Sequence, residues 1–425
     1  MESPITIDKL RFLVYRFKEK LWLKPLIFCV LSIAAVFAAK IADGTSMAEH
    51  IPEVKAESVE TLLSIMASSM MVIATFSAGT MVNAYTSASR SSTPRSLNLI
   101  ISDDVSQNAL SVFIGAFIYS AVALTAMNNA FFGKSGVFLL FSLTCLAFTA
   151  VILTFIRWVD SVARLGRVGS TIQKVEYATE RAINNRISQP CLGGVPANCA
   201  AVQGTHPIYS ERVGYIQLID MAKLQYLASE EDIFINVTML PGEFVTPDKP
   251  IAFVTQPIET EKIACAVNIS DARSFEADPR FGFIVLAEIA SRALSLSVND
   301  HGTAIRILSS ITRLMLLWTN SANDDATAKN NKISVKYDRV SVPQLCVDDL
   351  FDDAFTCIAR DGAKNIEVAI RTIKSLKTIE HCFGNKNIDF KHAAAKYCDL
   401  SYERSKEAMS FEHDLSRLKT TYQQD

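Results

Sequence analysis

"LLSIMASSMMVIATFSAGTMVNAYTSASRSSTPR", residues 62–95, decides the fold. Its first part, Leu62–Val82, carries no charge. About 20 apolar residues rising ~1.5 Å each cross the roughly 30 Å of a bilayer's hydrocarbon, so this part predicts a membrane-spanning helix. The residue chemistry then changes to small hydroxyl residues, Gly79 and Asn83, and ends in Arg90 and Arg95. No carboxylate occurs between Glu60 and Asp103. A helix that only anchors a protein does not need such a sequence.

Three more apolar stretches accompany it: Pro25–Ala39, Ala109–Met127 and Val137–Val159. The first is short unless it borrows Leu21–Leu23 and Ile41. It also has the look of a signal peptide's apolar core, with "VFA" before Ala39, but three further spans make an uncleaved helix the simpler reading. The expectation is a membrane domain over residues 1–187. Its spans are near 25–41, 62–82, 109–127 and 137–159, and a helical extension follows.

Direction follows from lysine and arginine, which gather on the cytoplasmic side. Lys9, Arg11, Arg16, Lys18, Lys20 and Lys24 precede the first span, Arg90 and Arg95 follow the second, and Arg157, Arg164, Arg167 and Lys174 surround the end of the fourth. The alternate loops hold Asp43, Glu49, Glu53, Glu57 and Glu60 against Lys55, and then only Lys134. Every loop agrees on four spans with both the N-terminus and the C-terminal domain on the inner, cytoplasmic side. The nine cysteines follow neither a disulfide framework nor a zinc spacing, which suits free thiols in a reducing compartment. A net charge of -2 gives no case for nucleic-acid binding.

On a helix, Ser64, Ser68, Thr75, Gly79 and Asn83 fall near one face, and Ser69, Ser77 and Thr80 widen it. Small residues and hydroxyls let membrane helices pack closely. The same face can also line a path for an ion or small solute, and these five residues are the candidate pore-lining set. "YTSASRSSTPR" reads as a loop at the inner surface, where Arg90 and Arg95 either bind anionic lipid or ring the inner mouth of a homo-oligomer. The spans hold almost no ionisable side chain, which counts against a proton-coupled carrier but not against a channel.

Beyond the membrane the expectation is a mixed α+β cytoplasmic domain. A linker at 188–207 leads to a small β-rich module at 208–270 and a mainly helical part at 271–425. "GYIQLI", "IFINVTML" and "EFVTPDKPIAFV" read as strands around a helix capped by Asp220 and a Pro-Gly turn. "PGEFVTPDKPIAFV" resembles half of a biotinyl- or lipoyl-type barrel, but the carrier lysine lacks its context, so it reads as scaffold. "FGFIVLAEIASRAL" and "HGTAIRILSSITRLMLLW" read as helices separated at Asn299-Asp300. That break is either a capped turn or, through free N–H groups near Asn299, Asp300 and Thr303, a ligand or partner site. Residues 344–384 and 388–420 read as further helices, with "VDDLFDD" beginning one.

"FSAGTMVNAYTSASRSSTPRSL", "VGYIQLID", "DPRFGFIVLAEIASRALS" and "VNDHGTA" together resemble a bacterial predicted-membrane-protein family, the domain-of-unknown-function 2254 family. Where its members usually carry Asn-Asp-Pro, this chain has Asn299-Asp300-His301. The resemblance implies a four-span inner-membrane protein with a soluble C-terminal domain and brings no activity with it. Two functions remain: a homo-oligomeric channel or passive transport protein, and a membrane-anchored scaffold or sensor whose cytoplasmic domain binds a partner or small ligand. No P-loop, nucleophile elbow or paired-cysteine metal spacing points to an enzyme, a cofactor or a metal.

Overall fold

The computed structural model describes residues 22–43, 52, 54–101, 104–164, 166–197, 206–319, 335–384 and 386–424. They form two compact units, one ending at Thr171 and the other beginning at Ile172. The basic leader up to Lys20 and the acidic Glu49 and Glu53 lie outside the described residues.

The first unit is helical: α1 Leu23–Ala42, α2 Ala56–Ser91, α3 Leu97–Ile101, α4 Asp104–Asn128 and α5 Lys134–Arg164. Four of these, α1, α2, α4 and α5, are long and apolar enough to cross a membrane. α4 is the central helix and packs on the other three. Its Gly115 lets α1 approach, because a β-carbon there would lie 3.0 Å from Phe28 Cβ. In that gap the Ser32 hydroxyl donates to the Gly115 carbonyl at 2.8 Å. The Tyr119 hydroxyl lies 3.1 Å from the Leu140 carbonyl and 3.1 Å from the Thr144 hydroxyl on α5. Close approach and interhelical hydrogen bonds are what hold helices together where lipid is as apolar as leucine. Trp158 of α5 is buried and meets Phe76 and Phe113 edge-on, each with ring centroids 6.2 Å apart. Asp43, just past α1, accepts from the backbone N–H of Gly133 at 2.7 Å and of Gly136 at 2.6 Å. It thereby caps the start of α5, whose first N–H groups have no partner within the helix.

Two helix boundaries differ from expectation. α2 does not end at Val82 but continues to Ser91, so most of "YTSASRSSTPR" is helix rather than loop. No proline or glycine lies between Val82 and Pro94 to forbid a helix, and Ala84, Ala88 and Arg90 favour one. At 36 residues α2 rises about 54 Å, more than the hydrocarbon requires. The expected continuous helix out of the fourth span is interrupted instead: Gly166 adopts φ +80° and α6, Val168–Ser188, starts afresh. Glycine suits that left-handed backbone because it has no β-carbon.

The second unit contains most of α6, then β1 Gly194–Pro196, β2 His206–Ile208, β3 Gly214–Ile219, α7 Met221–Glu230, β4 Ile235–Val237, β5 Phe244–Val245, β6 Ala252–Val254, α8 Thr260–Ala264 and β7 Val267–Ser270. Helices α9 Pro279–Ala293 and α10 His301–Met315 follow, then β8 Tyr337–Val342. The chain ends in α11 Val347–Phe351, a π turn at Asp352–Thr356, α12 Cys357–Asp361, α13 Ile366–Phe383, α14 Ile388–Ala408 and α15 Glu412–Gln423. Asp220 accepts from the Lys223 N–H and caps α7 as its sequence suggests. Asp348 and Asp349 lie in the first turn of α11, where a helix dipole favours carboxylates.

The strands form a five-stranded sheet in the order β1-β8-β4-β6-β2 and a three-stranded sheet in the order β5-β3-β7. Both enclose one apolar cluster that includes Ile216, Leu224, Ile235, Val245, Val254 and Val340. The β module is therefore not confined to 208–270. β8 arrives from far along the chain and pairs in parallel with both β1 and β4. β1 lies inside the stretch expected to be a linker, and residues 198–205 of that stretch are outside the described residues.

Candidate functional site

The outward side of α2 is the candidate site. Leu63, Met66, Met70, Ala74, Ser77 and Met81 are buried and face the rest of the first unit. Ser64, Ser68, Thr75, Gly79 and Asn83 are all exposed on the single chain. The small polar residues thus share one face, and that face is not the one α2 uses to pack on its own bundle. A β-carbon built on Gly79 meets no atom within 4 Å. Ser77, expected to widen the polar sector, is buried instead. The apolar seam was present in the sequence at the spacing of a buried helix face, but the methionines and the alanine in it made it less conspicuous than the hydroxyls.

The hydroxyls are satisfied within the helix. Ser68 donates to the Ser64 carbonyl at 2.9 Å, Thr75 to the Met71 carbonyl at 2.9 Å and Thr80 to the Ser77 carbonyl at 2.9 Å. Each hydroxyl oxygen can still accept a further hydrogen bond. The Asn83 carboxamide, exposed on the same face, has no such partner within the helix. Met71, Val72, Phe76 and Val82 are exposed beside these residues, so the face is mixed rather than wholly polar.

The serine- and threonine-rich end of the opening stretch acts as a turn. Ser92, Thr93 and Ser96 are buried. The Ser92 hydroxyl donates to the Ala88 carbonyl at 2.5 Å, and the Ser96 hydroxyl to the Thr93 carbonyl at 2.8 Å. Thr93 caps the short 3-10 turn Pro94–Ser96, with Pro94 at its first position. Arg90 in the last turn of α2 and Arg95 in this turn are exposed. An arginine at a helix C-terminus is favoured by the carbonyl ends there.

The third candidate, the turn between α9 and α10, is built tightly. Asn299 takes φ +52°. Asp300 caps α10, accepting from the Thr303 N–H at 3.0 Å and from the Thr303 hydroxyl at 2.6 Å. The carboxylate therefore occupies an N–H that an outside anion would need. Those two donations hold the Asp300 carboxyl below the usual aspartate range. A depressed folded-state pKa stabilises at pH values above the unfolded pKa, and that contribution is lost as pH falls through the folded one. Asp300→Ala is expected to cost about 1 kcal/mol at neutral pH. Thermal unfolding compared at pH 7 and in acid should show the gap between variant and parent closing as the carboxylate protonates.

The motif "DPRFGF" forms a joint inside the second unit. Asp278 caps α9 through the Phe281 N–H at 3.2 Å and receives Arg273, at 2.8 Å from Nε and 2.7 Å from Nη2. Arg280 reaches Asp353 at 2.6 Å and Asp349 at 2.7 Å. The Pro-Gly turn lies against this pair, since a β-carbon on Gly242, at φ +97°, would run into Asp278 and Arg273. Sequence reasoning noted the motif but not these partners, which come from up to ~70 residues away and leave no local signal. Among the described residues no three His, Cys, Asp or Glu side chains are grouped to hold a metal ion.

A family model described as "Predicted membrane protein (DUF2254)" matches residues 18–378. The chain belongs to this family. The match takes in the four apolar helices, the β module and the Asp278 joint, and it agrees with the resemblance carried by the four sequence motifs. No curated protein and no solved structure matches the chain. This DUF2254 member thus has four apolar helices, a mixed α/β part and a helical C-terminal part, and its family brings no activity with it.

Proposed function

We propose that the protein is a homo-oligomeric channel or passive transport protein of a bacterial inner membrane. The face of Ser64, Ser68, Thr75, Gly79 and Asn83 lines the path, and Arg90 and Arg95 stand at the inner mouth. The N-terminus and the second unit are cytoplasmic, and the second unit serves as vestibule or gate. The observation that carries this reading is the outward face of α2. Its hydroxyl oxygens, each able to accept a further hydrogen bond, and the Asn83 amide lie on the side away from their own bundle, where water or further copies can meet them. Four spans per chain suit an assembly around an axis better than a carrier within one chain. A scaffold or sensor is the second reading, favoured by a cavity in the second unit described below.

The test is ionic current across a bilayer containing purified protein. The parent should give discrete currents, Asn83→Leu should reduce them several-fold, and Arg95→Glu should shift preference from anions towards cations. Silence from folded protein across salts and voltages would move the account to the sensor reading.

A further inference from the structure

The second unit contains a cavity of about 180 Å³ beside the C-terminal end of α6. Arg181, Asn185, Arg186 and Gln189 of this helix region line it, with Glu276 and Ala277 opposite. Arg186 is only 7 % exposed, yet its guanidinium makes one hydrogen bond, from Nη2 to the Ala277 carbonyl at 3.1 Å. Nη1 is buried with no hydrogen-bond partner. A buried cation normally has its donors filled and its charge paired, because desolvation is otherwise too costly.

The nearest carboxylate does not meet this need. Asp278 attracts Arg186 at a distance, but one of its oxygens is taken by Arg273 and the other by the α9 cap. Glu276 is already paired with Arg181 at 3.3 Å. Among the charged lining residues two arginines stand against one glutamate, so the cavity wall carries a single excess positive charge. Burial also pushes the Arg186 guanidinium's pKa down, the signature of a cation held without full compensation. The carbonyl ends of α6 favour donors rather than anions, so an anionic head in this cavity has to be met by the guanidinium and not by the helix end.

We propose that this cavity binds a small oxyanion, a carboxylate or phosphate group, held by Arg186 and steadied by Arg181. Arginine's planar fork matches both groups bidentately. At about 180 Å³ the cavity has room for several waters, and so for a compact solute that carries the anionic head. This inference does not rest on the channel reading, since a ligand here serves a gate and a sensor equally.

The experiment uses the full chain in detergent, with sodium phosphate and sodium acetate titrated against sodium chloride at matched ionic strength. Calorimetry and thermal unfolding are the readouts. At least one of the two oxyanions should bind saturably and raise the unfolding temperature, while chloride does not. Arg186→Gln keeps a donor for the Ala277 carbonyl but loses the charge, and should weaken binding at least tenfold. Arg181→Gln, at a largely exposed position that folding tolerates, should weaken it a few-fold. A saturable response from neither oxyanion overturns the proposal. So does an unchanged affinity in both variants.

Discussion

Asp278→Ala destabilises the second unit by about 3–5 kcal/mol, the usual cost of removing one partner from a buried ion pair. The carboxylate is 3 % exposed and performs two tasks at once. It accepts the Phe281 N–H at the start of α9, and it compensates Arg273, whose side chain is itself only 17 % exposed. The substitution opens the cap and leaves a largely buried guanidinium alone. Asp278→Asn keeps an oxygen for the cap but not the charge, and should fall between parent and alanine. Removing Arg273 as well should recover part of the loss, because the uncompensated charge goes with it. Chemical denaturation of the full chain, followed by circular dichroism, reads all four proteins. Equal stability of Asp278→Ala and the parent would mean that the joint is not built around this pair.

Gly282→Ala is the second large effect. A β-carbon there would clash with the Thr179 hydroxyl and lie 2.6 Å from its Cγ2 and 2.7 Å from its Cβ. Thr179 is buried, and its hydroxyl is tied to the Val175 carbonyl at 2.6 Å. Its β-carbon is held in place by the backbone of α6, so the clash is not relieved by swinging a flexible tip. Alanine gains about 1 kcal/mol of helix propensity over glycine. Overpacking a close helix contact costs about 1–3 kcal/mol, so the net change is a loss. The reciprocal pair Gly282→Ala with Thr179→Gly should be more stable than the sum of the two single changes predicts, since the small residue has only moved across the interface. Additive losses would show that α6 and α9 do not meet at this point.

The four long apolar helices were legible because apolar length is a local signal, and so were the Pro-Gly turn and the caps Asp220 and Asp300, which act over three residues. The end of α2 was misread because hydroxyl-rich sequence resembles a loop. In fact Ser92, Thr93 and Ser96 fold back on the helix end through hydrogen bonds that composition does not reveal. β8 went unread because its pairing with β1 and β4 depends on residues more than ~100 positions away, and long-range parallel pairing leaves no turn signature. Arg186 was one basic residue among many in a helix. Only its burial without a full set of partners distinguishes it, and burial is a tertiary property. The helical periodicity of α2 grouped Ser64, Ser68, Thr75, Gly79 and Asn83 on one exposed face but misplaced Ser77, which is buried. Which face packs on the bundle depends on the seam of Leu63, Met66, Met70 and Ala74, and that seam is recognised only once α4 and α5 are in place.

The most direct test of the central claim is water access along α2. Single cysteines would replace Ser68, Thr75 and Gly79 on one face and Met66, Met70 and Ala74 on the other, in a chain whose native cysteines have been removed. Intact membrane vesicles would then be treated with a charged, water-soluble thiol reagent. The account predicts reaction at the first three positions and protection at the second three. Protection at all six would place the polar face against lipid or a dry interface and contradict an aqueous path along it.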